Sequence, residues 1–166
     1  MENMTPQEVE KKFIALLTEY QQVIYKVCYV YVSEGDTLSD LYQEVVINLW
    51  KAFPRFRGEC KVSTWIYRIS LNTCISFFRK SISRPSVVPI NIDLEASLTD
   101  SEDKTSQLRE LYRLINRLSR LERALLLLWL EERSYQEIGD ILGISKNNVA
   151  VKLNRIKEKL KTMSNH

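Results

Sequence analysis

The sequence has few of the residues on which enzymes and metal sites depend. It contains four glycines, one histidine and three cysteines in 166 residues. The histidine is the last residue, His166, and Cys28, Cys60 and Cys74 lack the close spacing of a zinc site or a disulfide framework. There is also no glycine-rich phosphate loop and no serine, histidine and aspartate set. We therefore predict no catalytic residues, no metal and no other cofactor, and we expect that the protein is not an enzyme.

Long apolar runs are also missing. The most apolar stretch, residues 124–130, lies between Arg123 and Glu131, whereas a membrane-spanning helix needs about 20 apolar residues. The N-terminus has none of the features of a secretory signal peptide. We predict that the chain does not insert into a membrane and that it works in the cytoplasm.

Charge is distributed unevenly along the chain, although the net charge is only +3. Counting Lys and Arg against Asp and Glu gives −5 for residues 1–50, +7 for 51–84, −4 for 85–108 and +5 for 109–166. Two basic blocks thus alternate with two acidic blocks. This pattern indicates two surfaces that face a polyanion and at least one acidic surface that faces another partner.

Helical periodicity covers the first 80 residues. A capping box at Thr5 and Glu8 opens a first helix that is predicted to run to about Ser33. A second helix has a buried stripe of leucine and valine residues and ends before Pro54. A third helix covers about residues 64–80, and no strand is predicted anywhere in the chain.

Residues 81–105 interrupt the helical pattern. They include two prolines, five acidic and two basic residues, and they show no sustained helical period, which is typical of a linker. We predict an all-α fold of two small helical domains joined by this acidic linker, with boundaries at 1–80, 81–105 and 106–166.

The second domain is predicted to begin with two helices. Leucine and isoleucine residues between Leu108 and Leu118 mark the first of them, and a capping box at Ser119 and Glu122 opens a leucine-rich helix to about Glu132. Because residues 125–130 are apolar nearly all round, we expect this second helix to form the centre of the domain core.

A helix-turn-helix pattern follows directly. Ser134 and Glu137 form another capping-box signature, Gly143 suits the left-handed residue that ends a helix, and Ser145 can cap the next helix. Gly139 stands where the two helices are expected to cross closely. The pattern predicts two helices around a tight turn.

The last helix has a buried stripe and a polar face. Val149, Leu153, Ile156 and Leu160 recur at i, i+4, i+7 and i+11, as a buried stripe requires. The other face carries cations and amides, which bind phosphates and base edges in a major groove. Its candidate contacts to duplex DNA are Lys146, Asn147, Asn148, Lys152, Asn154 and Arg155. A helical hairpin that binds no nucleic acid is the alternative, but the excess of cations, which also includes Lys157 and Lys159, favours DNA.

The third helix mixes aromatic and basic residues. Trp65 and Tyr67 lie among Arg68, Arg79 and Lys80, a combination that suits unpaired nucleic acid because bases stack on aromatic rings. For Trp65 and Tyr67, a place in the helical core is an equally good interpretation.

Together these motifs resemble the extracytoplasmic-function (ECF) sigma factors of bacteria, over almost the whole chain. Residues 40–44 and 48–50 resemble the region 2 helix that binds the clamp helices of core RNA polymerase. Residues 56–58 and 63–72 resemble the segment that opens the promoter and reads the −10 element as unpaired strand. Residues 134–155 resemble the region 4 helix-turn-helix that reads the −35 element as duplex.

The resemblance implies functional roles for residues whose pattern alone is ambiguous. On their own, the polar residues of the second helix indicate only a solvated face. The resemblance implies polymerase contacts at Asp40, Leu41, Gln43, Glu44 and Asn48. It also implies −10 contacts at Phe56, Arg57 and Asn72, with Trp65 nearby.

The resemblance also implies partners and shows one departure. The implied partners are core RNA polymerase, promoter DNA and an anti-sigma factor. Many relatives have a basic residue at the position of Ala150. Base reading at −35 is therefore expected to depend more on the other residues of this face: Asn147, Lys152, Asn154 and Arg155. The competing hypothesis is a stand-alone helix-turn-helix regulator that binds duplex DNA without polymerase. That hypothesis leaves the aromatic and basic residues between Phe56 and Arg79 without a role.

Overall fold

A computed structural model describes residues 3–32, 37–81 and 102–165. These ranges contain seven α-helices and no strand, which confirms the all-α prediction. The chain divides into two compact units, Met1–Pro89 and Ile90–His166. The central part of the predicted linker, residues 82–101, lies outside the described residues. Its last residues are helical, because a helix begins at Glu102.

The first unit consists of three helices that all pack against one another: α1 (Pro6–Tyr31), α2 (Leu38–Ala52) and α3 (Val62–Ser81). The predicted capping box of α1 is present, since the backbone N–H of Glu8 donates to Thr5 Oγ1 at 3.3 Å and the backbone N–H of Thr5 donates to Glu8 Oε2 at 3.0 Å. A short 3₁₀ turn, Phe53–Arg55, follows α2. Because Pro54 cannot donate a backbone hydrogen bond, it ends the helix and sets this turn.

The core of the first unit takes one apolar stripe from each helix. Its fully buried side chains include Ile24 of α1, Leu49 of α2 and Ile66 of α3. Cys28 and Cys74 are also fully buried, and each is close enough to hydrogen-bond the other across α1 and α3. The pKa of the Cys74 thiol is raised well above its ordinary range, mainly by burial and to a smaller extent by the neighbouring Cys28 thiol.

The second unit consists of α4 (Glu102–Ile115), α5 (Arg120–Leu130), α6 (Tyr135–Leu142) and α7 (Lys146–Ser164). The predicted capping box at Ser119 and Glu122 opens α5. Residues 124–128 are buried, which confirms α5 as a central helix of the core. The last two residues of α5 differ from the prediction, because Trp129 and Leu130 are exposed where the helix ends.

The turn between α6 and α7 has the geometry that the glycines predict. Gly143 ends α6 with a φ of 73°, in the left-handed region where a side chain is strained. A Cβ atom on Gly139 would lie 2.6 Å from the carbonyl oxygen of Ile144, so only glycine permits this close approach. Ser145 then caps α7 by accepting a hydrogen bond from the backbone N–H of Asn148 at 3.1 Å. None of the helices described is both long and apolar enough to span a membrane.

Candidate nucleic-acid interface

Helix α7 presents the polar face that its sequence predicts. Val149, Leu153 and Ile156 are buried against the rest of the second unit. The side chains on the other face are exposed, except for Lys152, which is half-buried; the exposed ones are Lys146, Asn147, Asn148, Asn154 and Arg155. A helix that is anchored by one stripe and carries amides and cations on the other can enter a major groove with its N-terminal half.

Lys159 forms an ion pair with a residue of another helix of the same domain. Its Nζ lies 3.0 Å from Oε1 of Glu122, the residue that completes the capping box of α5. Burial alone would raise the pKa of Glu122, but hydrogen bonds from Ser119 and Lys159 and the charge of Lys159 outweigh it and lower the pKa. The sequence pattern predicted that Lys159 faces the DNA phosphates, whereas in the structure its ion pair with Glu122 joins α7 to α5.

Lys157 also turns toward α5. Its Nζ lies 4.4 Å from the centre of the Trp129 ring, which is within the range of a cation–π interaction. Trp129 is partly exposed, so this contact forms at the surface of the second unit. The cations of α7 therefore include an outward group, Lys146, Lys152 and Arg155, and two cations nearer its end, Lys157 and Lys159, that contact α5.

The loop before α3 brings aromatic and basic side chains together. The ring of Phe56 lies 4.9 Å from that of Trp65, centre to centre, and is half-buried, while Arg57 is exposed. Trp65 is only 9% exposed and also contacts Phe53 at 6.3 Å. Trp65 therefore supports Phe56 from the core, and the predicted direct contact of Trp65 with DNA does not fit its burial.

The remaining residues predicted for the −10 element lie along α3 in different environments. Tyr67 is 1% exposed, so its ring belongs to the core, which is the other interpretation that the sequence allowed, and a direct contact with DNA does not fit its burial. Arg68 is half-buried and Asn72 is exposed. Arg79 and Lys80 lie in the last turn of α3, and their side chains are outside the described residues.

The predicted polymerase-binding residues of α2 also separate into two groups. Gln43 is exposed, and Asp40 and Glu44 are half-buried, so all three have a solvent-facing side. Leu41 is 2% exposed and packs in the core between the helices, which corrects its prediction as a direct contact. Asn48 points toward α3, where its Nδ2 donates a hydrogen bond to Thr73 Oγ1 at 2.9 Å.

An open groove of about 760 Å³ runs between α2 and α3 beside this hydrogen bond. Its lining combines cations, amides and hydroxyls with two apolar residues: Asn48, Lys51, Ala52, Arg55, Ile69, Asn72, Thr73 and Ser76. Lys51 and Arg55 are exposed, and neither is among the DNA contacts predicted from the sequence. The strong basic excess of residues 51–84 was the signal that could have identified them.

Exposed apolar side chains form a second surface on the first unit. Ile47 and Trp50 of α2 and Ile14 of α1 all have large exposed fractions. Trp50 contacts Phe13 with ring centres 5.0 Å apart, which joins α1 and α2 at this surface. Ile47 and Trp50 lie three residues apart on the same face of α2, so they offer adjacent apolar area to a partner protein.

Clusters of three or more potential metal ligands are absent from the part of the chain that the structure describes. The described residues form a polar and cationic face on α7, a second one along the groove between α2 and α3, and an acidic and apolar face on α2.

Two family models match the chain, and they match the two units in turn. The sigma-70 region 2 model matches residues 16–83, and the sigma-70 region 4 model matches residues 108–160. The first match covers the groove and the loop before α3, and the second covers the helix-turn-helix.

Curated relatives match along most of their length. An ECF RNA polymerase sigma-E factor of Haemophilus influenzae is 29% identical and covers 90% of this chain and 85% of the relative. An ECF RNA polymerase sigma-E factor of Escherichia coli strain K12 is 28% identical, and the match covers 90% of this chain and 84% of the relative.

Solved structures show the same fold. CnrH in complex with the cytosolic domain of CnrY matches with a TM-score of 0.68 and 17% identity, covering 94% of this chain and 89% of CnrH. The sigma factor RpoE in complex with the anti-sigma factor NepR, from Bartonella quintana, matches with a TM-score of 0.69 and 18% identity. The match covers 93% of this chain and 98% of the solved chain.

Proposed function

Since the chain belongs to the ECF family of sigma factors, which are transcription initiation factors, we propose that it binds core RNA polymerase and directs initiation at specific promoters. In this proposal the domain of residues 1–80 binds polymerase, reads the −10 element as unpaired strand and melts it. The domain of residues 106–166 reads the −35 element as duplex. Such a protein acts in the cytoplasm, where polymerase and promoter DNA are located.

The helix-turn-helix geometry is the observation that carries the proposal. The left-handed Gly143 and the closely approached Gly139 fix the angle between α6 and α7, and the buried stripe anchors α7 below its polar face. Asn147, Asn148 and Asn154 can then reach base edges while Lys146 and Arg155 reach phosphates. A loosely packed helical hairpin has no need of such a fixed turn.

Reading of the −10 element is assigned to the loop before α3 and the exposed edge of the groove. Phe56 has one ring face on Trp65, so its remaining surface can stack on an unpaired base. Asn72 offers an exposed amide that can read a base edge. Arg57, together with Lys51 and Arg55 of the groove, supplies cations for the phosphates of the same strand.

Polymerase binding is assigned to the outer side of α2. Asp40, Gln43 and Glu44 give it acidic and amide groups, and Ile47 and Trp50 add exposed apolar area. Interfaces commonly combine an apolar centre with a polar rim. The acidic character of residues 1–50 supports a protein rather than a nucleic acid as the partner.

We include an anti-sigma factor among the proposed partners. The structures of RpoE with the anti-sigma factor NepR and of CnrH with CnrY support this assignment, because their folds match over nearly the whole chain. The exposed apolar surface of Ile14, Ile47 and Trp50 is a site that such a partner can cover.

In vitro transcription with purified core RNA polymerase tests the proposal. A pool of templates is transcribed with core alone and with core plus the full chain. We expect initiation at discrete promoters only when the chain is present. Specific binding of the chain to duplex DNA without polymerase, combined with no initiation from any template, would support the stand-alone regulator instead.

A further inference from the structure

Asn48 lies at the contact between α2 and α3, beside the groove. Its Nδ2 donates a 2.9 Å hydrogen bond to Thr73 Oγ1, and Thr73 is only 5% exposed. The preceding residue, Asn72, is exposed and lines the same groove. The hydrogen bond therefore joins α2 to α3 one residue away from the amide that is assigned to a −10 base.

We propose that Asn48 is a positioning residue for Asn72, and that it acts through Thr73 by fixing the rotation of α3 against α2. This inference rests on the proposed function, because it concerns how accurately the −10 base is read. It also changes the role that the sequence resemblance gave to Asn48, from a polymerase contact to a link between the helix that faces polymerase and the helix that faces DNA.

Directionality is the physical reason for this role. The neighbouring groove residues Ala52 and Ile69 are apolar, and apolar contacts tolerate small rotations because they have no preferred direction. A hydrogen bond weakens steeply outside a narrow range of distance and angle. The bond to Asn48 also fixes the χ1 rotamer of Thr73, which in helices is otherwise divided between two states.

The local geometry makes Asn72 sensitive to this rotation. Consecutive residues of an α-helix point about 100° apart, so Thr73 can face α2 while Asn72 faces the groove opening. When Thr73 is held, the direction of Asn72 is held as well. An amide that reads a base needs donor–acceptor distances of about 2.7–3.2 Å, so a modest rotation of α3 removes the contact.

Burial favours this role over a direct polymerase contact. Asn48 is half-buried and its amide is already used within the domain, whereas Gln43 on the outer side of α2 is exposed. Withdrawing the Asn48 amide toward a partner would leave the buried hydroxyl of Thr73 without this donor, which is unfavourable.

The experiment compares full-length variants assembled with core RNA polymerase. Wild-type holoenzyme first defines the preferred bases in a template pool that is pre-melted and randomised in the −10 segment. We define the discrimination ratio as the affinity of the holoenzyme for templates with the preferred bases divided by its affinity for templates with disfavoured bases. This ratio is then measured for Thr73→Val, which removes the hydroxyl, and for Thr73→Ser, which keeps it. Affinity for core polymerase is measured separately for each variant.

We expect Thr73→Val to lower the discrimination ratio about three- to tenfold, the range that corresponds to one net hydrogen bond. Thr73→Ser is expected to retain most of the ratio, and both variants should bind core polymerase like the wild type. Asn48→Leu should behave like Thr73→Val. The double variant Asn48→Leu with Thr73→Val leaves no polar group of this pair buried without a partner. It is therefore expected to fold, and it shows the effect of losing the Asn48–Thr73 hydrogen bond alone.

Two results would overturn the inference. One is a wild-type discrimination ratio in Thr73→Val and in the double variant. The other is weaker binding of Asn48→Leu to core polymerase with an unchanged ratio, which would make Asn48 a polymerase contact. A wild-type holoenzyme without any preference at the pre-melted segment is a different result, because it contradicts the proposed reading of the −10 element itself.

Discussion

Glu122 accepts hydrogen bonds from Ser119 and from Lys159, and so connects the start of α5 to α7. One of its oxygens accepts from the backbone N–H of Ser119 at 3.0 Å and also lies 3.0 Å from Nζ of Lys159, 37 residues away along the chain. A single carboxylate thus completes the N-cap of α5 and holds the second half of α7. Both contacts are stronger when this carboxylate is ionised.

Stability is therefore expected to depend on pH in the acidic range. The pKa of Glu122 is lower in the folded chain than its ordinary value, so the folded state binds fewer protons than the unfolded state. The contribution is fully present above the unfolded pKa and disappears as the pH falls through the folded pKa. In urea unfolding from pH 7 downward, the wild type should lose about 0.5–1 kcal/mol of its free energy of unfolding through this group, and Glu122→Gln should not show this loss.

Glu158→Gln provides the matched control for this prediction. Glu158 pairs with Lys161 at 3.7 Å, but both side chains are about three-quarters exposed. We expect its replacement to leave the unfolding free energy within about 0.5 kcal/mol of the wild type. Equal pH profiles for the Glu122 and Glu158 variants would contradict a structural role for the Glu122 carboxylate.

The two groups of cations on α7 should differ in their salt dependence. Arg155 is exposed, whereas Lys159 is held by Glu122. Arg155→Ala should reduce the slope of log affinity against log salt by about one, the value for one phosphate contact. Lys159→Ala should reduce it by less than half as much. The measurement is holoenzyme binding to linear promoter duplex at several salt concentrations; the reverse order of the two slopes would show that Lys159 leaves Glu122 for the phosphate.

Gln43 and Leu41 should separate polymerase binding from folding. Gln43 is exposed, so Gln43→Ala should weaken binding to core polymerase while the unfolding free energy stays within about 0.5 kcal/mol of the wild type. Leu41 is fully buried, so Leu41→Ala should destabilise the first unit by about 2–5 kcal/mol. Urea unfolding and a core-binding titration check both changes. Strong destabilisation by Gln43→Ala would show that this side chain is structural.

Asn72 and Asn154 should act on different states of the promoter. Asn72→Ala in holoenzyme is expected to leave closed-complex formation nearly intact and to impair opening and base preference at a pre-melted −10 segment. Asn154→Ala is expected to weaken recruitment to linear duplex by about 1–3 kcal/mol and to have little effect once the −10 segment is already open. Equal effects of both variants on duplex recruitment, with neither affecting a pre-melted segment, would favour the duplex-only regulator.

The sequence predicts the features that depend on local chemistry. The capping boxes at Thr5 and Ser119, the left-handed Gly143 and most of the buried stripe of α7 all involve residues within a few turns of one another, and all are present in the structure. Leu160, the last residue of the predicted stripe, is only half-buried. The close approach at Gly139 was also predicted, although its partner is the carbonyl of Ile144 in the turn.

The features that depend on distant residues could not be predicted in the same way. Trp65 and Tyr67 have side chains that suit either stacking on bases or burial, and only the packing of α3 against its neighbours decides for burial. The pairing of Asn48 with Thr73 joins different helices, as does that of Lys159 with Glu122. Helical periodicity assigns a side chain to a face but does not identify its partner.

The burial of Cys28 and Cys74 has a practical consequence for chemical labelling. Both thiols are withdrawn from solvent, and the raised pKa of Cys74 keeps it in the unreactive thiol form. Cys60, the third cysteine, is half-buried in the loop that follows Phe56. Under native conditions a maleimide dye can therefore be directed to a single position without removing any cysteine. That position lies next to the proposed −10 site, so its fluorescence can report when the unpaired strand arrives.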